Sequence, residues 1–327
     1  MLNCGARTKD GFSQITYESF LRNELSTDEG IKRSKINPNI RKEWRNTEEE
    51  TMSEELKISK LASSDCHIHP DYSIDALGTA EEFALRAIEM GLEKICFTTH
   101  IDLNPHRAAS DFFWKINGHW IRPDAEAINH YLMNIETIRK KYTDRIEIIA
   151  GFEFSYEPHF AHIVEEFIGN YRPQFAIGSV HSVDTLEITS RYFTPAAIRT
   201  FSPQEFIHKY YEIVVAIARS ELFSVIGHID GYKKYLPRFW GLSLCEQIEG
   251  EIIDDVAKKL ADAGAAIEVN TSAWRKGLPA PYPDACIIKS LSSAGVEIAT
   301  IGSDAHSPED VGYRIENAAS YIASAIA

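Results

Sequence analysis

Nine side chains able to hold a metal recur along this sequence: His67, His69, Asp75, His100, Glu153, His181, His228, Asp304 and His306. The first three lie in Asp65-Cys66-His67-Ile68-His69-Pro70-Asp71-Tyr72-Ser73-Ile74-Asp75. In an extended chain residues i and i+2 project to the same side, so His67 and His69 can converge on one ion. Taken alone, a His-x-His pair in a strand is more often a satisfied polar pair than a metal site. What changes the reading is how many similar strand ends follow. Mixed imidazole and carboxylate sets suit zinc, iron or manganese better than calcium or magnesium alone. Adjacent ions of that kind lower the pKa of a bridging water and supply hydroxide at neutral pH.

These residues need elements that bring them together. From residue 61 the chain alternates between strand-like apolar runs and longer helical patterns. The expected strands are 61–67, 94–99, 146–154, 175–180, 222–227, 265–270 and 297–303. The expected helices are 79–90, 125–141, 158–169, 203–220, 244–263, 283–294 and 308–326. Thr79 and Glu82 have the spacing of a capping box at the start of the first of them. Seven strands alternating with helices argue for parallel βα units, in an open sheet or a closed barrel. Six strands end on a possible ligand. The sixth, Glu268-Val269-Asn270-Thr271-Ser272, does not, and Arg275 follows it. In a βα barrel all these ends open on the C-terminal face, where such barrels place their chemistry.

The chain has 327 residues, 44% of them hydrophobic, enough for a large core. Five cysteines without paired spacing fit a reducing cytoplasm better than a disulfide framework. No apolar run is long enough for a membrane span, and residues 1–7 lack the order of a signal peptide. The net charge of −14 is uneven: residues 1–60 hold 11 basic and 11 acidic side chains, and residues 61–327 hold 23 and 37. A body this acidic is a poor nucleic-acid coat, although metals could let it bind an anion. Residues 1–60 are charged and poor in periodic apolar positions. They are expected to form a mobile or loosely helical extension ahead of a domain at 61–327.

From about residue 64 onward the sequence resembles the PHP superfamily, named for polymerase and histidinol phosphatase, and within it the histidinol-phosphatase branch. The resemblance rests on His67-Ile68-His69 with Ser73 and Asp75, Phe97-Thr98-Thr99-His100, and Gly151-Phe152-Glu153 with Tyr156. Ile177-Gly178-Ser179-Val180-His181, Ile226-Gly227-His228-Ile229-Asp230 and Ile301-Gly302-Ser303-Asp304-Ala305-His306 complete it. It implies an α/β fold, a distorted seven-stranded βα barrel, around two or three divalent ions. By motif, one ion takes His67, His69, Glu153 and Asp304; a second takes Glu153 as a bridge with His181 and His228; a third takes Asp75, His100 and His306. One departure is Thr99, where the family often has Asp; the loss could soften how His100 is oriented.

The expected reaction is metal-dependent hydrolysis of a phosphate monoester, with histidinol phosphate, from a late step of histidine biosynthesis, as the implied substrate. Asp304, His228 and Arg275 are expected to carry the chemistry. Arg275 has a fork that matches phosphate bidentately, against the alternative of a solvated loop charge. Lys233, Lys234 and Lys276 are weaker candidates. The amine of such a substrate needs acceptors, and Asp102 and Asp230, each two residues past a possible ligand, are the nearest. The rivals are a phosphoesterase acting on another phosphorylated metabolite or nucleotide, and an inactive metal-binding regulatory domain. An insert near 104–122 carries His106, His119, Phe112, Phe113, Trp114 and Trp120; its aromatics could line a pocket or simply pack the loop. His130, His159, His162 and His208 are read as lying outside the site.

Overall fold

The computed structural model describes residues 54–108, 110 and 112–327; most of the expected N-terminal extension lies outside them. Seven parallel strands form the centre: β1 Ser64–Ile68, β2 Lys94–Ile101, β3 Glu147–Ser155, β4 Phe175–Ser179, β5 Val225–Ile226, β6 Ala266–Asn270 and β7 Glu297–Gly302. They are ordered in the sheet as in the chain. Closure comes from the loop after β7: His69 N–H donates to Ala305 O at 2.8 Å and Ala305 N–H to His67 O at 3.3 Å. The result is the expected distorted seven-stranded barrel.

The period-two alternation of a strand divides the side chains. On β3, Ile148, Ala150, Phe152 and Phe154 join the layer beneath the helices. The alternate residue Ile149 joins a small apolar floor inside the barrel with Cys66, Cys96, Phe175, Ile177, Val225 and Ala266. Four residues beyond Ile149 and Cys96, on the same side of their strands, stand Glu153 and His100, so the interior changes from apolar to ionisable toward the strand ends. Strand β1 departs from regular pairing, since its register against β2 shifts between Asp65 and Ile68. The Thr98 hydroxyl covers that irregularity, accepting from Ile68 N–H and donating to Ile68 O. Such bulges re-aim side chains next to functional sites.

The covering helices are α1 Glu54–Ala62, α2 Ala80–Glu89, α3 Ala125–Lys141, α4 Ala161–Tyr171, α5 Pro203–Ser220, α6 Leu242–Asp262, α7 Ala285–Ala294 and α8 Ile315–Ile326. The Thr79–Glu82 capping box is present in both directions. Three expected helices start later than the prolines that open them: α4 and α8 follow separate 3₁₀ turns at 158–160 and 308–310, with Gly312 and Arg314 at positive φ ahead of α8, and α7 starts at Ala285 with Asp284 as its cap. The expected strand at 61–67 also needs correction. Residues 54–62 are helical, and Ile58, Leu61 and Ala62 pack against the cluster holding Ile301, Ile315 and Ile322, so the strand starts only at Ser64. No helix among the described residues is long and apolar enough to cross a membrane.

The 104–122 insert is a hairpin of 114–116 and 119–121. Trp114 is 1% exposed and packs on Tyr72, Tyr131 and Phe152, and Phe112 is buried too. Trp120 stays 63% exposed. These aromatics therefore anchor the hairpin more than they line a pocket.

Candidate metal centre

Glu153 stands at the end of β3 with its carboxylate 1% exposed. Its Oε1 lies 3.2 Å from His181 Nε2 and 2.9 Å from His228 Nε2, and it accepts the Ser179 hydroxyl at 2.7 Å. Its Oε2 lies 3.3 Å from His67 Nε2, 3.5 Å from His69 Nε2 and 2.9 Å from His100 Nδ1. One carboxylate thus presents each oxygen to a separate set of imidazoles. Burial by itself would raise its pKa, but His67 and His181 more than reverse this and hold it well below the usual carboxylate range. The β2–β3 register makes His100 and Glu153 direct partners on adjacent strands, which explains their contact.

Asp304 closes the first set. Its Oδ1 is 3.5 Å from His69 Nε2 and 3.9 Å from His67 Nε2. A positive φ of 54° turns the chain back there, a conformation Asp tolerates better than most residues. Three groups of donors could each hold an ion: His67, His69 and Asp304; Glu153, His181 and His228; and His69, His100 and His306. His100 Nε2 and His306 Nε2 converge to 3.3 Å, with Asp75 Oδ2 3.4 Å from the latter. Asp75 sits on a loop tied to the same place, because Leu77 N–H donates to His306 O at 2.7 Å. All nine residues named from the sequence therefore meet at one barrel end.

Other groups orient them. Glu268, on the one strand expected to end without a metal ligand, is fully buried below the cluster. Its oxygens lie 2.9 and 3.0 Å from His67 Nδ1, and it accepts His228 N–H at 2.9 Å and Asn270 Nδ2 at 3.0 Å. A buried carboxylate without such donors would cost several kcal/mol. The signal for it in the sequence was a charged residue inside an apolar strand. Gly302 makes the pairing possible: a Cβ there would sit 2.3 Å from His67 Cβ and 2.9 Å from Glu268 Oε2. Asp65, also fully buried, accepts N–H groups from Ser303 and Gly312 and so ties β1 to the loop bearing Asp304 and His306. His181 Nδ1 is 2.7 Å from Ser155 Oγ, which donates to Asp102 at 3.1 Å. The Thr99 departure has a structural answer. The Thr99 hydroxyl has no hydrogen-bond partner, and His100 is held by Ser73 Oγ on its N–H and Trp114 Nε1 on its carbonyl.

Two substrate-binding expectations change. The Arg275 fork, expected to meet phosphate, donates to Ser303 O at 2.7 Å and Asp304 O at 2.8 Å, pinning the loop that carries Asp304 and His306. Asp230 is 0% exposed and lies 3.0 Å from Lys233 Nζ, because the turn 231–234 folds that lysine back over it. An amine could reach Asp230 only if its neighbours moved. Lys233 is shared with Glu249 and Asp284, so it is also unavailable to a ligand. Asp102 remains half-buried at the end of β2. His130 binds the Tyr72 hydroxyl, and the His106 ring lies 5.7 Å from that of His159, tilted by 50°.

The donor set fits divalent metal. His67 Nε2 and His69 Nε2 are buried without a hydrogen-bond partner although carboxylate oxygens surround them, an arrangement costly unless something shares the lone pairs. Imidazole with carboxylate is the chemistry of zinc, iron and manganese sites, and Glu268 at His67 Nδ1 is the usual outer support of a metal-bound imidazole.

Comparison with known proteins agrees. The PHP domain family matches residues 65–272. A Deinococcus radiodurans protein named "probable histidinol-phosphatase" is 28% identical over 257 residues, covering 78% of this chain and 90% of that one. The Lactococcus lactis histidinol-phosphatase is 25% identical over 243 residues, covering 74% and 83%. Among solved structures, the histidinol phosphate phosphatase of Lactococcus lactis, complexed with zinc, L-histidinol and phosphate, superposes with a TM-score of 0.63 at 21% identity, over 81% of this chain and 94% of that one.

Proposed function

The chain belongs to the PHP domain family, and from that premise we propose that it hydrolyses a phosphate monoester, histidinol phosphate, at a centre of two or three divalent ions. The observation that carries this reading is the split carboxylate of Glu153, one oxygen toward His181 and His228 and the other toward His67 and His69. In it His67, His69, Glu153 and Asp304 hold one ion, Glu153, His181 and His228 a second, and Asp75, His100 and His306 a third. Bound ions would supply a water deprotonated at neutral pH and positive charge for the phosphate oxygens. The protein's part is to present anionic donors already ionised. Glu153 and Asp304 are both held below the usual carboxylate range against their burial. Glu268 and Ser155 fix which nitrogen of His67 and of His181 faces inward, and the apolar floor keeps water from entering below.

The substrate assignment is supported by the relatives' names and by the acidic body. Residues 61–327 carry 14 more acidic than basic side chains (37 against 23), which favours a substrate bearing an amine and disfavours nucleotides with extra negative charge. Asp102 is the acceptor we place nearest the amine. A panel of phosphate esters assayed with zinc, manganese or iron tests the proposal. Histidinol phosphate should show a kcat/KM far above nucleotide monophosphates, strong chelators should abolish turnover, and elemental analysis should find more than one ion per chain. An active protein holding one ion or none sinks the multinuclear reading; preference for nucleotides moves the substrate assignment to the rival phosphoesterase.

A further inference from the structure

With the Arg275 fork committed to Ser303 O and Asp304 O, a different cation stands beside the cluster. Lys276 caps the one-turn helix Ser272–Arg275 that follows β6, and its backbone N–H donates back to Ser272 O and Ala273 O. That turn brings its ammonium over the barrel end. Lys276 Nζ donates to Ser272 Oγ at 2.9 Å and to Asp304 Oδ2 at 3.3 Å, while Ser272 Oγ donates to Asp304 Oδ2 at 3.0 Å. The other Asp304 oxygen is the one that faces His67 and His69. An ammonium has three N–H donors. Two are turned to these acceptors, and the side chain keeps 29% exposure for the third. A phosphate dianion at this centre would therefore find a point charge one carboxylate away from the histidine set, a geometry lysine serves well.

We propose that the Lys276 ammonium contacts the phosphoryl oxygens of the ester held at the Glu153–Asp304 centre, in the place expected for Arg275. The inference rests on the phosphatase reading above and deepens it by naming the cation. The alternative role is structural, with Lys276 only steadying Asp304 and therefore the metal.

The test compares wild type, Lys276→Met and Lys276→Arg for metal content, binding of inorganic phosphate by calorimetry, and kcat/KM on histidinol phosphate. Lys276→Met should keep its metals, bind phosphate more weakly, and lose about 10- to 100-fold in kcat/KM, the scale of one hydrogen bond to a charged group. Lys276→Arg, which keeps the charge, should recover part of both. If Lys276→Met does not fold, Lys276→Gln, which retains a donor for Asp304 and Ser272, carries the same comparison. Loss of metal from the neutral variant overturns the proposal in favour of the structural role. Full metal content with unchanged phosphate binding and kcat/KM also overturns it. A wild type that holds its metals yet neither binds phosphate nor hydrolyses any ester brings down the phosphatase reading itself.

Discussion

Glu153 and Glu268 are both buried carboxylates in contact with His67, and they differ in what else they touch. Glu153 divides its oxygens between imidazole nitrogens on five histidines; Glu268 meets one imidazole and two amide groups. The first arrangement suits shared ions, the second suits orientation. Glu153→Gln should therefore cost on the order of 100-fold or more in kcat/KM, beyond the range of an outer-shell change, and more than His100→Gln, which touches one edge of the cluster. Equal losses in the two variants would count against the bridge. Glu268→Gln leaves an acceptor for the amides but a weaker partner for His67. Its metal affinity, measured by competition with a chromophoric chelator, should fall about 10- to 100-fold while the fold persists. Unchanged affinity would show that Glu268 is a packing residue only.

At the scale of elements, strand ends do the positioning and helices hold the strands. Helix α6 illustrates the cost of carrying charge inward. Its Glu249 is 3% exposed and accepts from the Tyr211 and Tyr232 hydroxyls and from Lys233. Burial pushes the Glu249 carboxyl above its ordinary value, and Lys233 opposes this without cancelling it. A carboxyl whose folded pKa is raised binds more protons in the native state than in the unfolded one. Stability is then lost as pH climbs from the ordinary carboxylate range through the folded value. Glu249→Gln keeps an acceptor for the tyrosines and removes the titration. The difference in Tm between this variant and wild type should shift in the variant's favour between pH 4 and pH 7. A shift in the opposite direction would mean that the Lys233 ion pair outweighs the desolvation of Glu249.

For the whole molecule, the boundary of the barrel matters most. We expect the domain to need α1, since Ile58, Leu61 and Ala62 pack against the cluster that holds β7 and α8. Deleting residues 1–53 should leave Tm and turnover near wild type. Deleting residues 1–62 should lower Tm by several degrees, because it exposes an apolar face that about 25 cal/mol per Å² otherwise stabilises. If the shorter deletion is already insoluble or inactive, the segment before α1 is part of the fold.

Much of this was legible in the sequence because it depends on local rules. The alternation of strand and helix showed in hydrophobic period, α3 and α5 have the bounds that pattern suggested, and Thr79-x-x-Glu82 announced its own cap. Ligand candidates could be named because histidine and carboxylate at successive strand ends have few other uses, and a parallel barrel gathers those ends at one face. What needed tertiary structure was pairing across long sequence separation. The contact between Glu268 and His67 joins residues 201 apart, and period alone cannot say which buried carboxylate faces which nitrogen. The same holds for cations. Arg275 and Lys276 are neighbours in sequence, yet the turn after β6 sends one fork onto backbone carbonyls and the other ammonium to Asp304. Asp230 looked available two residues past His228, and only the fold of the following turn shows it sealed beneath Lys233. Sequence specifies which chemistry is present; the direction of each side chain is settled by backbone curvature and by the neighbours that must satisfy its charge.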